Sequence, residues 1–508
     1  MISRIKRLDK YTKLAIIVIV IGILIRFSLA SMHHISGDAC WQLSNARYLA
    51  ENNKFPLFEF FGRDEPFWAP PLFHVLAASA YRIFSAFSSG IAGFAVKMLT
   101  PLLGSLTLII FFLVSNMLFG KKAAFYALLF FTFIPLSIDY NVFSYVDGTI
   151  AFFALLSVYF ALKGRIMLSA IAAGLTILTK YNGIFILPVL LFIVYKKFNG
   201  SGNLRSLWKN ALIISIVPVL IGSIWFIRNW VYLGNPVWPF MNAVFNGYEA
   251  KTFAEAGVGA INASNIFSLS GLAAFYLGIF GVPDGNISAL SFLQLPYLNI
   301  LFGIWLISTF IFLIPLIMGI ASKKLSHKAL LYAWIGSYTL LVLLYIVNSS
   351  WSVTRFMLPA FPAIAFIWAH GLEEIMQKIR QEKIRKLLIA TILLIISGFI
   401  VVSFAKIAIA SSSWDYYKDD FEWVKSNTAK NSIFIISGQC ISYNIERQTL
   451  SPEITNLENA DYVWVNQGFR LESMSKLRQD FIKALDKRNP KLVYENKETK
   501  TKVYKIKK

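Results

Sequence analysis

The sequence predicts a polytopic α-helical membrane protein that ends in a small C-terminal extracytoplasmic α/β domain. Hydrophobic residues make up 56% of the chain and charged residues only 15%, whereas a soluble domain has roughly 25% charged residues. The apolar residues form many long runs, which are typical of membrane-spanning helices. The residues from Lys406 to Lys508 are instead polar and mixed in pattern.

Eleven apolar runs predict eleven membrane spans. The first is interpreted as a retained signal anchor, because its apolar run lacks a convincing small-residue cleavage site. The predicted spans are Leu14–Ala30, Thr100–Phe119, Ala123–Ile138, Thr149–Leu162, Ile166–Thr179, Ile184–Tyr195, Ala211–Ile227, Leu298–Ile320, Ala329–Val347, Phe356–Gly371 and Leu387–Ala405.

The basic residues predict the orientation in the cell membrane. Lys and Arg are concentrated in the N-terminal segment and in alternate short loops, such as the one with Lys121 and Lys122. Positive loops face the cytoplasm, so the N-terminus is predicted inside and, after an odd number of spans, the C-terminus outside. The net charge of +22 is therefore interpreted as a topology signal, and nucleic acid is not an expected partner.

Two predicted outer loops are long. The loop over residues 31–99 contains an apolar stretch, Leu72–Phe87, which we interpret as a helix at the outer interface, because counting it as a span would break the charge pattern. The loop over residues 228–297 is rich in Gly, Asn and aromatics and is predicted to be a mobile lid. These loops are assigned to a membrane domain over residues 1–405.

The tail over residues 406–508 predicts the external α/β domain. Phe421–Ser426 and Glu472–Leu485 have helical patterns, and Ser432–Ser437 and Tyr462–Val465 have strand patterns.

Two carboxylates fall near span ends on the predicted outer side. Asp38 follows the first span, and Asp147 precedes Gly148 in the second outer loop. Charges at a membrane face are costly and often functional. Two such groups on one face can supply a general base and an orienting group or a ligand for Mg²⁺, Mn²⁺ or Zn²⁺. Equally, each can simply cap a helix or turn.

Three cations fall on the same predicted face: Lys180, Arg228 and Arg355. A phosphate ester needs such groups for binding and for neutralising the leaving charge. Lys and Arg near span ends also commonly extend to lipid headgroups, but the orientation rule disfavours positive charge outside. This favours a phosphate site.

Further candidates for substrate contact are polar groups in the two long loops. They are Arg63, Asp64, Glu65 and His74 in the first loop and Asn229 and Tyr232 in the fourth. The first three can equally form a solvated loop tip, a lone His on an apolar helix is more often structural, and the segment with Asn229 and Tyr232 can be an interfacial aromatic belt.

Several short motifs, in this order, resemble the GT-C superfamily of polytopic glycosyltransferases, in its protein O-mannosyltransferase and lipid A aminoarabinose transferase branch. They cover roughly residues 14–370. The motifs are Gly37-Asp38 with Ala46-Arg47-Tyr48-Leu49-Ala50, Pro70-Pro71-Leu72, Asp147, Thr179-Lys180-Tyr181, Arg228-Asn229 with Gly234-Asn235-Pro236, and Arg355-Phe356-Met357-Leu358-Pro359.

The resemblance implies transfer of a monosaccharide from a polyprenyl-phosphate donor, such as dolichyl or undecaprenyl phosphate, to a protein, lipid or glycan hydroxyl with inversion. It implies that Asp38 is the base, that Asp147 orients the acceptor or binds a cation, and that the three cations hold the carrier phosphate. The tail resembles the region around the WWDYG motif of oligosaccharyltransferases, but Ile436–Cys440 does not match that motif. The resemblance therefore argues against oligosaccharide transfer.

Other interpretations stay open at the level of sequence. A transporter or flippase for lipid-linked sugars can also have eleven spans, although it would more often carry charges at mid-membrane. A non-catalytic scaffold that presents the tail domain is a further alternative. Cys40 and Cys440 can pair across the first loop and the tail, or remain two free buried thiols.

Overall fold

The structure, a computed structural model, describes the chain in eight segments, and its elements are numbered in chain order within them. The segments are residues 8–59, 65–199, 203–248, 276–281, 298–346, 354–436, 438–466 and 476–506. The predicted lid therefore lies largely outside the described residues.

The described residues are mostly helical. The helices are α1 (Lys10–Met32), α2 (Asp38–Asn52), α3 (Leu72–Ser85), α4 (Ser89–Lys97), α5 (Leu99–Phe133), α6 (Pro135–Asp139), α7 (Val146–Leu162), α8 (Ile166–Thr179), α9 (Leu187–Asn199), α10 (Leu204–Leu233), α11 (Asn242–Phe245), α12 (Leu298–Ala321), α13 (Lys328–Ile346), α14 (Phe361–Lys378), α15 (Glu382–Asp415), α16 (Lys418–Asn427), α17 (Gln439–Ile445) and α18 (Lys476–Asp486). Short 3₁₀ helices cover Tyr181–Ile186, Thr354–Ala360 and Ile454–Glu458. The strands are β1 (Phe58–Glu59), β2 (Glu65–Pro66), β3 (Ile433–Ile435), β4 (Gln448–Leu450), β5 (Tyr462–Val465), β6 (Lys491–Asn496) and β7 (Thr501–Lys505).

The chain is a multi-pass membrane protein. Among the described residues, seven helical segments are long and apolar enough to cross a membrane, and three shorter apolar helices, 146–162, 166–179 and 328–342, accompany them. One of the seven, residues 89–133, overlaps two predicted spans, which separate at Gly120 where φ is +79°. Each predicted span overlaps a helix, so the predicted fold class is confirmed.

Two compact units divide the chain. The first comprises residues 1–31, 69–73 and 98–406, and the second residues 32–68, 74–97 and 407–508. The second unit therefore joins most of the first predicted outer loop to the tail, whereas that loop was predicted to belong to the membrane domain. The loop joins the tail for two physical reasons. A disulfide bonds Cys40 in α2 to Cys440 in α17, and these two helices pack together.

The first unit is a bundle with a continuous apolar core. α8 packs against α7 and α10, and α14 packs against α12 and α5. Glycines permit the α12–α14 approach: a Cβ on Gly319 would stand 2.0 Å from the carbonyl oxygen of Ile367, and one on Gly371 would stand 1.8 Å from that of Pro315. Small residues at such crossings are usual in membrane bundles, because packing drives association there.

One end of the bundle gathers segments predicted to be cytoplasmic. Lys121 Nζ lies 2.7 Å from a carboxylate oxygen of Asp9, which precedes α1, and Lys122 Nζ lies 3.3 Å from one of Glu373 near the end of α14. Three chain segments that the charge pattern assigned to one side thus meet at one end of the helices.

The second unit contains a five-stranded mixed sheet in the order β4-β3-β5-β7-β6. β3 runs parallel to β4 and β5, and β7 runs antiparallel to β5 and β6. Alternating side chains divide between its faces: Ile435 and Val463 pack with Phe481 of α18, while Phe434 and Trp464 pack in the cluster that contains residues of α16 and α17. The predicted small α/β domain is confirmed.

Candidate active site

The first element of the candidate site is an ion pair between α7 and the end of α8. Asp147 lies in the first turn of α7, where a carboxylate is favoured by the helix dipole. Its side chain is 2% exposed, and Lys180 Nζ donates to Oδ1 over 2.8 Å. Lys180 directly follows α8 in an extended conformation, which turns its side chain back towards α7.

The 3₁₀ helix before α14 adds a second cation. Lys180 Nζ lies 4.1 Å from the ring centroid of Phe356. The guanidinium carbon of Arg355 lies 5.6 Å from the ring centroid of Tyr145, two residues before Asp147. The structure therefore brings Asp147, Lys180 and Arg355 together at one end of the bundle. The packing of α7 against this 3₁₀ helix produces this proximity.

The third cation is held by a hydrogen-bond chain at the end of α10. Arg228 Nη1 donates to Asn229 Oδ1 over 2.8 Å, and Asn229 Nδ2 donates to the Tyr181 hydroxyl over 2.7 Å. Asn229 is fully buried, so it acts as a fixed link. This link joins Arg228, at the end of α10, to Tyr181, the chain neighbour of Lys180.

Aromatic faces surround Arg228. Its guanidinium carbon lies 4.8 Å from the ring centroid of Trp225 and 5.6 Å from that of Tyr232, whose side chain is 61% exposed. Cation–π contacts of this kind fix a guanidinium without neutralising its charge. Arg228 thus keeps its positive charge and, like Arg355, can bind an anion such as a phosphate.

Asp38 is the first residue of α2 in the second unit and is partly buried. Gly37, with φ +59° and ψ −139°, precedes it, and only glycine adopts such a conformation without strain. Two residues later, Cys40 is tied to Cys440. The predicted meeting of Asp38 with Asp147 stays a prediction, because the two residues belong to different units.

The candidates for substrate contact in the first predicted outer loop lie in different environments. His74 is fully buried, with the rings of Phe67 and Trp41 edge-on to it at 4.9 and 5.8 Å between centroids. His74 therefore fits the structural role in a hydrophobic core that the sequence left as the alternative to substrate binding. Glu65 lies in β2, and Arg63 and Asp64 lie outside the described residues.

The geometry at Asp147 does not fit a metal site. Within the described part of the chain, no group of three or more His, Cys, Asp or Glu side chains could hold a metal ion. The ammonium group of Lys180 already neutralises Asp147, and a divalent cation would have to approach against that charge. No step of the chemistry assigned to these residues is therefore routed through a metal.

Sequence reasoning missed a buried ion pair in the same unit. Lys406, near the end of the span-length part of α15, donates to Asp139 in α6 and also to the carbonyl oxygen of Gly281 over 3.1 Å. Both charged side chains are at most 10% exposed. Asp139 directly follows a predicted span, and a charged residue at a span end was the sequence feature that could have identified it as a candidate.

The sequence matches no protein-family model and no curated protein. Solved structures show the fold: the chain shares it with solved glycosyltransferases, as the predicted resemblance implies.

Three similar structures carry this conclusion. ArnT from Cupriavidus metallidurans bound to undecaprenyl phosphate gives a TM-score of 0.60 at 13% identity, over 96% of this chain and 97% of ArnT. The Archaeoglobus fulgidus oligosaccharyltransferase gives 0.54 at 14% identity, over 90% of this chain and 69% of its own. The arabinofuranosyltransferase AftD from Mycobacteria gives 0.57 at 11% identity, over 99% of this chain and 40% of AftD.

Proposed function

We propose that this protein is an inverting glycosyltransferase that moves a monosaccharide from a polyprenyl-phosphate donor to an acceptor hydroxyl on the extracytoplasmic face of the cell membrane. The observation that carries the proposal is the pairing of Lys180 with the buried Asp147, with Arg355 against Tyr145 and Arg228 linked to Tyr181 through Asn229. The fold supports it, because ArnT was solved with undecaprenyl phosphate and an archaeal oligosaccharyltransferase with a dolichol-phosphate.

The reaction follows from this charge arrangement. The acceptor oxygen forms a bond to the anomeric carbon while the bond between that carbon and the phosphate oxygen breaks. The electron pair stays on the polyprenyl phosphate, whose growing negative charge Arg228, Arg355 and Lys180 stabilise. The acceptor proton passes to a carboxylate, which we assign to Asp38 from its sequence motif.

Asp147 has a separate role in this scheme. Its carboxylate pairs with the ammonium group of Lys180 at 2.8 Å. We assign it to positioning Lys180 and, through Lys180, the donor phosphate. Positioning of charged groups before the reaction is the main source of electrostatic catalysis.

Incubation of the purified protein with radiolabelled polyprenyl-phosphate hexoses and a membrane extract tests the function. A transferase consumes one labelled lipid and passes its label to a protein, lipid or glycan, and the labelled product identifies the acceptor class. Movement of intact labelled lipid between the leaflets of a vesicle, without consumption, would instead indicate a flippase. Absence of any dependence on the carrier would indicate a scaffold.

The base assignment makes a direct prediction. Asp38→Asn should lower transfer by about a hundredfold or more, the usual effect of removing a general base, while binding of polyprenyl phosphate is retained. Initial rates and lipid binding are measured on the same preparation, with Asp480→Asn on α18 as the control carboxylate. Transfer at the wild-type rate would remove Asp38 from this role.

A further inference from the structure

A cavity of about 360 Å³ lies entirely within the second unit. Separate helices contribute to its wall: α2 provides Arg47, α3 provides Tyr81, α4 provides Lys97 and α17 provides Tyr443. The disulfide between α2 and α17 holds two of these walls together. The cavity is therefore built by tertiary structure and is not a local groove on one helix.

The wall carries an excess of positive charge. Arg47, Lys97 and Lys425 face it together with one carboxylate, that of Glu446. The nearest oxygen of Glu446 lies 3.8 Å from Lys425 Nζ, so this carboxylate is associated with one of the three cations. Burial lowers the pKa of His34 on the same wall, so His34 is neutral at pH 7. An anion is the complementary ligand.

Two phenols add hydrogen-bond donors beside Arg47. Burial raises the pKa of Tyr443 to about 12 and also raises the pKa of Tyr81, while the positive charge of Arg47 acts in the opposite direction on both. Both hydroxyls therefore keep their protons at neutral pH. Arg47 and two protonated phenols can donate to the several oxygens of a phosphate group.

An exposed apolar edge adjoins the cavity. At the end of α3 and the beginning of α4, Phe87 is 73% exposed, Ile83 64% and Phe94 53%, and Phe84 and Ile91 are also exposed. Phe94 also lines the cavity. Ile91 and Phe94 of this edge belong to the candidate membrane-spanning segment over residues 89–133.

We propose that this cavity binds the phosphate group of a lipid, whose hydrocarbon chain lies along the apolar edge formed by Ile83, Phe84, Phe87, Ile91 and Phe94. Its residues are distinct from Lys180, Arg228 and Arg355 of the first unit, and the site does not depend on the proposed transferase activity. A free phosphate would use the cationic wall and leave the apolar edge in water, which is unfavourable for five large side chains. A lipid phosphate satisfies both parts at once.

The test compares anions and lipids on the full-length protein. Binding of dioleoyl phosphatidic acid and of undecaprenyl phosphate is titrated by native mass spectrometry in detergent, with dioleoyl phosphatidylcholine and inorganic phosphate as the other arms. The two lipid phosphates should bind at least about tenfold more tightly than inorganic phosphate, because burial of the chain adds to the charged contacts. Inorganic phosphate binding as tightly as the lipids would overturn the lipid assignment.

Matched variants locate the site. The Arg47→Gln, Lys97→Gln double variant should weaken lipid-phosphate binding about tenfold or more, since each lost contact is a charge-assisted hydrogen bond. Arg47→Lys should retain most of the binding, and Lys483→Gln, an exposed lysine on α18, should retain all of it. Phe87→Ser with Phe94→Ser should weaken lipid binding and leave inorganic phosphate unaffected.

Two results contradict the proposal even when the variants fold, as monitored by thermal unfolding. One is unchanged lipid binding in the double variant. The other is loss of all lipid-phosphate binding in Arg228→Gln, which would assign the bound lipid to the first unit. The proposed transferase activity can fail while this site is retained, because neither outcome depends on a sugar donor.

Discussion

The pair of Asp147 and Lys180 shows how a single ion pair can combine structure and chemistry. Asp147 is almost completely buried, whereas the Lys180 side chain is 22% exposed. Removing one partner of a buried pair leaves the other uncompensated, and the more buried partner suffers more. Substituting Lys180 alone and substituting Asp147 alone should therefore cost different amounts of stability, and this difference can be measured.

Lys180→Met should destabilise the protein by about 3–5 kcal/mol, because it leaves the Asp147 carboxylate buried without its partner. Asp147→Asn should destabilise it less, because the remaining ammonium can reach water. The double variant should recover stability without recovering transfer. Thermal unfolding in detergent, with Lys163→Met as the exposed-lysine control, measures the stabilities. Equal loss in both single variants would contradict the asymmetry.

His34 makes stability depend on pH. Burial is the largest effect lowering its pKa, Lys97 lowers it further, and the hydrogen bond with Asn444 and the charge of Asp415 oppose these effects. The unfolded chain takes up the proton near pH 6.5 and the folded chain only at lower pH. The contribution of His34 is thus fully present above about pH 6.5 and is lost as the pH falls through the folded pKa.

We therefore expect the midpoint of thermal unfolding to fall between pH 7.5 and pH 5.5 by more in the wild type than in His34→Gln. Glutamine keeps a donor for the amide oxygen of Asn444 but does not titrate. An identical change of the unfolding midpoint with pH in the two proteins would show that other groups account for the pH dependence.

At the scale of elements, hydrophobic patterning located the membrane helices well. Each predicted span overlaps a helix, because a long apolar run leaves the backbone few alternatives in a bilayer. Boundaries were harder: α15 extends from Glu382 to Asp415, well beyond the predicted Leu387–Ala405, since polar helical turns outside the bilayer have no hydropathy signal. In the tail, β6 and β7 were not predicted. Their short sequences, which include charged residues, become strands through pairing with β5 and with each other.

The crossing of α12 and α14 illustrates a contact that hydropathy does not encode. Gly371→Ala should destabilise the first unit, because the new methyl carbon would stand 1.8 Å from the carbonyl oxygen of Pro315 and must push the helices apart. Overpacking of this kind costs about 1–3 kcal/mol. Gly398→Ala on α15 is the matched control, because its new methyl carbon would have nothing within 4 Å. A comparable loss in both variants, in thermal unfolding, would contradict the close-crossing explanation.

At the scale of the whole chain, the sequence indicated which residues were candidates but not which of them meet. Lys180, Arg228 and Arg355 were selected as cations on a predicted outer face. The contacts of Lys180 with Asp147, of Arg355 with Tyr145 and of Arg228 with Tyr181 through Asn229 depend on the packing of separate helices. Lys406 and Asp139 are separated by 267 positions, so no local pattern could pair them. Asp38 keeps its predicted role on the motif alone.

The disulfide is the longest-range covalent link in the described chain, with 400 positions between Cys40 and Cys440. It joins the first predicted outer loop to the tail within the second unit, and the sequence left open whether it forms. Cross-links stabilise by limiting the unfolded ensemble. Cys40→Ser with Cys440→Ser should therefore destabilise the second unit by about 2–4 kcal/mol, seen as faster proteolysis of the tail at moderate temperature.

Reduction of the wild type should reproduce the behaviour of this double variant, and reductant should leave the variant itself unchanged. Alkylation followed by intact mass measurement supplies the control, because both thiols become reactive only after reduction. The variant should also lose part of its binding of lipid phosphate, since α2 and α17 both contribute residues to the wall of that cavity. Wild-type resistance of the tail to protease in the double variant would show that packing alone holds the unit together.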